Sequence, residues 1–218
     1  MLRRIQPLVT IVLLLLASPA WANLLTNGDF ETGNFDGWTL FTTDNGGIGS
    51  GLAMEPPDVI SFPTVDGVDS LAGRFQAVRL ETAGTSPAGG GIQQLLDTPA
   101  GTLLFGMDVA QLAEDTVNDP AGAIFNVFFD DMMITSIDQG TIVGGSVERF
   151  STGPLAILDV EAGQHTLKIE ILTTLDTTAA NRPFQYIDNV TLVPEPSTAL
   201  LFGLGLAGIA LRWRRTTP

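Results

Sequence analysis

Apolar and polar positions along the chain follow two different rules. Residues 1–22 and 194–218 hold unbroken apolar runs beside arginines, while the stretch between them alternates. From His165 to Leu172, Leu167, Ile169 and Ile171 alternate with Thr166, Lys168 and Glu170, the period of a strand with one face in and one out. Leu103, Phe105, Met107 and Val109 repeat the pattern. Ala123 to Asp130 is nearly continuous in apolar residues, which predicts a strand covered on both faces. Turn signals punctuate these runs at Asn27-Gly28, Asp36-Gly37, Asn45-Gly46-Gly47, Gly89-Gly90-Gly91 and Asp119-Pro120. Neither a helical period nor a fixed-length repeat appears outside the ends. Many short strands without helices predict an all-β domain, a β-sandwich or jelly roll.

The two ends predict processing, and both are set aside from fold reasoning. Arg3 and Arg4 precede an apolar stretch from Leu8 to Ala17, too short to span a bilayer comfortably. Ala20 and Ala22 then supply the small-x-small pattern of a signal-peptidase site. Residues 1–22 are therefore expected to form a signal helix, read by the Sec export machinery, and the mature chain is expected to start at Asn23. At the other end, Pro194-Glu195-Pro196 precedes an apolar run with three glycines, then Arg212-Trp213-Arg214-Arg215. Prolines forbid helix before Ser197, and an all-round apolar segment suits lipid better than water. A single transmembrane helix is expected at 197–211, with a basic tail at 212–215 held on the cytoplasmic side.

Pro194, Glu195 and Pro196, the short Gly/Leu/Ala span, and Arg212, Arg214 and Arg215 together resemble the PEP-CTERM sorting signal of Gram-negative bacteria. The resemblance implies a membrane-embedded exosortase as partner. It further implies transient anchoring at the inner membrane, then a place at the cell surface or in the extracellular matrix, in association with exopolysaccharide and biofilm.

Charge narrows what the middle, residues 23–193, can do. It carries 5 basic residues (Arg74, Arg79, Arg149, Lys168, Arg182) against 23 acidic ones, a net of −18. Such a surface repels phosphate backbones and excludes nucleic acid as a partner. It suits cations, calcium above all, which takes hard oxygen ligands. The chain has no cysteine, and the domain is long enough to bury a core without disulfides.

Two segments point to a particular sandwich. The opening Asn23-Leu-Leu-Thr-Asn-Gly-Asp-Phe-Glu31 with Gly37-Trp38, and the closing Tyr186-Ile-Asp-Asn-Val-Thr-Leu192, resemble the galactose-binding-like jelly rolls, many of them carbohydrate-binding modules. That resemblance implies that the two segments are neighbours in space and that Trp38 lies in the core. If Phe184 to Val193 is one regular strand, Asp188 shares a face with Phe184, Tyr186, Val190 and Leu192, and a carboxylate there needs a partner. The resemblance implies a structural calcium held by Glu31 and Asp188, with Asp29 a weaker candidate and backbone carbonyls completing the shell.

Catalysis finds little support in these residues. There is no cysteine nucleophile, the single histidine, His165, opens an alternating strand, and none of the G-x-S-x-G, H-E-x-x-H or phosphate-loop patterns occurs. The expectation is a non-catalytic exported protein of the surface or matrix. The alternative is a carbohydrate-binding module for an extracellular polysaccharide. With Trp38 assigned to the core and Tyr186 in the closing strand, its site would need phenylalanines or polar residues. A glycoside hydrolase comes third, because no carboxylate pair stands out among so many acids.

Overall fold

The computed structural model describes residues 22–50, 55–81, 86–114, 121–175 and 182–195. The expected signal helix, the span at 197–211, and Ala20, Pro196, Arg212, Arg214 and Arg215 lie outside them. Among the described residues every regular element is a strand: β1 (Thr39–Thr42), β2 (Gly46–Gly49), β3 (Asp58–Ser61), β4 (Leu71–Arg79), β5 (Ala88–Thr98), β6 (Gly101–Leu112), β7 (Ile124–Phe129), β8 (Met132–Asp138), β9 (Val147–Val160), β10 (Gly163–Thr173) and β11 (Phe184–Pro194).

They form two sheets packed face to face as a jelly-roll β-sandwich. One has the order β1-β5-β10-β7-β8 and the other β2-β4-β11-β6-β9, with β3 added along β4. The alternation in β10 decides its place. Leu167, Ile169 and Ile171 are fully buried between the sheets, and burying each such side chain is worth about 1.5–3 kcal/mol. Leu103, Phe105, Met107 and Val109 of β6 meet them from the opposite sheet. Trp38 joins this core as expected, stacked on Phe30 at 6.0 Å and donating from its indole nitrogen to the Asn27 carbonyl (3.0 Å).

The opening segment lies along β11. Val190 N donates to the Gly28 carbonyl and Leu24 N to the Leu192 carbonyl, both at 2.8 Å, and the Asn23 side chain accepts from Leu192 N at 2.8 Å. The two segments whose resemblance implied proximity are thus hydrogen-bonded to each other.

Three local expectations need correction. Gly89-Gly90-Gly91 is not a turn but the first half of β5, paired with β10. A Cβ on Gly91 would collide with the Ile169 carbonyl oxygen, so glycine here allows close approach of two backbones. β7 is not covered on both faces: Phe125, Val127 and Phe129 are in the core, while Ile124 and Phe128 are half-buried on the outer face. Finally, β11 is not one regular strand. Asn189 adopts a left-handed conformation (φ 50°), which breaks the alternation. Ile187 before it and Val190 and Leu192 after it face the main core, whereas Tyr186 packs with Ala72 and Ala110 in a second cluster.

That second cluster covers part of the outer face of the six-stranded sheet. Phe62, just after β3, stacks on Tyr186 with ring centroids 3.5 Å apart, and burial pushes the Tyr186 hydroxyl up to about 12.

Candidate functional site

The break at Asn189 leaves Asp188 fully buried and apart from the face of Val190 and Leu192 that a regular strand would have given it. Its Oδ2 accepts from the Thr64 hydroxyl (3.1 Å) and its Oδ1 from Asn189 N (2.6 Å). Burial pushes its pKa up against these bonds and against a hydrogen bond from Ser70. The Ser70 hydroxyl has one proton and serves one carboxylate at a time: it is in reach of Asp188 and donates to Glu31 Oε1 at 3.1 Å, which accepts in addition from Leu71 N (3.1 Å). Ser70 therefore joins the two carboxylates singled out in the sequence. Asp29 is not drawn in: it is exposed, and its carboxylate accepts the Glu31 N–H at 3.4 Å.

The donor set suits a hard cation. Buried Asp188 and Thr64 are linked through half-buried Ser70 to the exposed carboxylate of Glu31, and no ion pair to Asp188 exists among the described residues. Among the described residues no group of three or more His, Cys, Asp or Glu side chains is placed to hold a metal. Neutral oxygens would have to complete a shell. Ser70 and Thr64 carried no signal in the sequence, because only the fold brings them to Asp188.

A different arrangement occupies the outer face of the five-stranded sheet. Strand pairing sets side chains from all five strands in rows there, since directly paired residues point to the same side. One row runs Phe41, Gly91, Glu170, Asn126, Ser136, and the next Thr39, Gln93, Lys168, Phe128. In the first row the Ser136 hydroxyl donates to Asn126 Oδ1 (2.7 Å) and Asn126 Nδ2 donates to Glu170 Oε2 (3.3 Å). In the second the Lys168 ammonium sits 4.1 Å from the centroid of Phe128 and 5.9 Å from that of Phe41. Leu95 and Met133, 61% and 50% exposed, add apolar surface at the margin. Phenylalanines and polar side chains share one sheet face, the combination a sugar site here required. No local spacing announces it, because its residues are spread from Thr39 to Glu170.

His165 takes a structural position. Its Nδ1 faces Asp130 Oδ2 (2.9 Å) and its Nε2 the Glu161 carbonyl (3.0 Å), and its ring stacks on Phe129 at 5.0 Å. Both nitrogens face acceptors, so the doubly protonated ring is favoured. The Asp130 hydrogen bond raises the pKa against the opposing effect of burial. For Asp130 burial acts upward, but the bonds from His165 and Thr166 N outweigh it and its pKa falls. An imidazole held this way has no free lone pair to act as a general base.

A cleft of about 530 Å³ opens between the edge strands β8 and β9, where Asp138, Glu148, Arg149 and Phe150 line it. Arg149 is held by Asp66 (2.8 Å) and the Pro63 carbonyl (2.7 Å), so its charge is already engaged.

Comparison with known proteins bears on the fold and on the tail. Comparison with curated proteins finds no match. The carbohydrate-binding module TmCBM61, solved with β-1,4-galactotriose, aligns over 80% of this chain and 99% of its own, at 16% identity and a TM-score of 0.48. A cyclase from Fischerella sp. TAU aligns over 79% of this chain and 96% of its own, at 15% identity and a TM-score of 0.48. The adhesin domain of Lys-gingipain from Porphyromonas gingivalis W83 aligns over 77% and 96%, at 15% identity and a TM-score of 0.42. These are likenesses of fold. Residues 192–215 match the PEP-CTERM protein-sorting motif, which begins inside β11. The chain thus carries a jelly-roll sandwich ahead of a PEP-CTERM sorting signal, which marks it as an exported exosortase substrate processed near the membrane.

Proposed function

We propose that the mature protein works at the cell surface or in the extracellular matrix as a non-catalytic module that binds polysaccharide on the outer face of the β1-β5-β10-β7-β8 sheet. One observation carries this: the hydrogen-bonding row Glu170–Asn126–Ser136 lies beside a row holding Gln93, Lys168 and Phe128, with Phe41 at the end. Polar groups fixed by their neighbours give sugar hydroxyls defined partners, and phenyl faces give the C–H side of a pyranose something to pack on. The opposite sheet offers nothing comparable where its second cluster is roofed by Phe62. Association with biofilm exopolysaccharide is part of the same proposal, as is a structural calcium held by Glu31 and Asp188 with Ser70 or Thr64 beside them. That ion would neutralise paired carboxylates and tie the opening segment to β11; it has no part in binding sugar.

Affinity electrophoresis of the full chain in mild detergent through gels containing matrix polysaccharide tests the face. Phe128→Ala and Gln93→Ala are each expected to weaken retardation by roughly tenfold in Kd, the scale of an interface anchor, with an unchanged melting temperature. Equal retardation of both variants and the native chain would leave the protein a surface component without a sugar site on this face.

A further inference from the structure

We infer that the ligand of this sheet face is an acidic sugar, whose anionic group is held by Lys168. This rests on the proposed sugar-binding role of the face and adds which sugars it selects. Lys168 is the only lysine in the chain. The arginines of the domain are otherwise committed. Arg74 is clamped bidentately on Asp58 at 2.8 and 2.6 Å. Arg149 is held by Asp66 and Pro63, Arg79 donates to the Glu81 carbonyl at 2.9 Å, and Arg182 is buried. Lys168 instead spans two phenyl rings, and no carboxylate of the described residues is in ion-pair contact with it.

In a domain of net charge −18, an ammonium with no ion pair among the described residues is the arrangement that calls for an explanation. The acid on the same face of β10, Glu170, is turned to Asn126, and Ser136 fixes Asn126 from the other side. A ring face attracts the cation but accepts no conventional hydrogen bond, so the ammonium keeps its N–H donors for an incoming group. At 4.1 Å from the centroid of Phe128 it also stands beside the ring against which a sugar would pack. A sugar bearing a carboxylate or a sulfate ester meets a positioned cation and forms charge-assisted hydrogen bonds, the stronger kind. Its hydroxyls then lie against Gln93 and Thr39, and its apolar side against Phe41 and Leu95. Because the rest of the surface repels an acidic polymer, Lys168 sets where along the molecule such a chain is held.

Isothermal titration of the full chain in detergent tests this with matched polymers: polygalacturonate against its carboxyl-reduced form, and dextran sulfate against dextran. We expect at least one acidic polymer to bind roughly tenfold or more tightly than its neutral partner, the scale of a hydrogen bond to a charged group. Lys168→Gln should erase that preference, and Lys168→Arg should keep most of it, with all three proteins melting alike. The two pairs of polymers separate carboxylate from sulfate as the recognised anion. Equal binding of acidic and neutral forms, or an undiminished preference in Lys168→Gln, would overturn the inference. If neutral polymers bind and Phe128→Ala weakens them, the sugar-binding face stands and only its acidic selectivity falls. If no polymer of either kind binds, both fall together.

Discussion

Removing calcium is the perturbation that tests the Asp188 cluster most sharply. Asp188 is 0% exposed, and Glu31 shares the Ser70 hydroxyl with it, so without an ion a buried charge is balanced by hydrogen bonds alone. A cation at a hundred times its Kd stabilises a folded state by about 2.7 kcal/mol. In a domain of this size each kcal/mol moves the melting temperature by about 2–4 °C. Chelation should therefore lower the transition by roughly 5–11 °C, read by differential scanning calorimetry in excess calcium and in excess EGTA. Asp188→Asn keeps the volume but removes the charge that binds the ion, and should melt at the same temperature in both buffers. A native protein whose transition is unmoved by EGTA would refute the calcium reasoning. The cluster would then be an uncharged or water-satisfied hydrogen-bond network.

Further expectations concern other parts of the molecule. Because His165 is held on both nitrogens and its pKa is raised above 6.5, its protonated form stabilises the fold. That contribution is complete below 6.5 and is lost as pH rises through the folded value. Proton NMR of the single histidine should show the raised pKa, and His165→Gln should flatten the stability profile over that window; a pKa at or below 6.5 would contradict the contact. Gly91→Ala places a methyl against the Ile169 carbonyl and should separate β5 from β10, lowering the melting temperature by several degrees, whereas the same change at exposed Gly33 meets no neighbouring atom and is opposed by φ +76° alone. N-terminal sequencing of the exported form should begin at Asn23, since Ala20 and Ala22 fit signal peptidase; a chain beginning at Met1 would contradict that.

The parts of the fold visible in the sequence were those with a local period. Leu167, Ile169 and Ile171 alternate because one side of β10 faces the core, and the strand can be found from that alone. Trp38 could be assigned to the core, and the opening and closing segments to each other, through their resemblance to a known sandwich. What stayed hidden depends on partners distant in sequence. Gly91 looks like a turn until the Ile169 carbonyl is seen against it. Asn189 breaks the phase of β11, so Asp188 was expected beside Val190 and Leu192 when it packs under Thr64 and Ser70. The sheet face was least legible, because the row from Phe41 to Ser136 draws one residue from each of five strands. Lys168 as the sole lysine was in plain view, but its significance lies in having two rings for neighbours and no ion pair among the described residues.

That lysine also offers the most direct test of the central claim, polysaccharide binding on the β1-β5-β10-β7-β8 face. Acylation of Lys168 by a water-soluble activated ester can be followed by peptide mass, with and without the polysaccharide fraction of the producing cell's matrix. The N-terminal amine of the same protein serves as the internal reference. Binding on this face predicts that saturating polysaccharide slows modification of Lys168 several-fold while the N-terminus reacts as before. Modification of Lys168 at the same rate in the presence and absence of polysaccharide would contradict it.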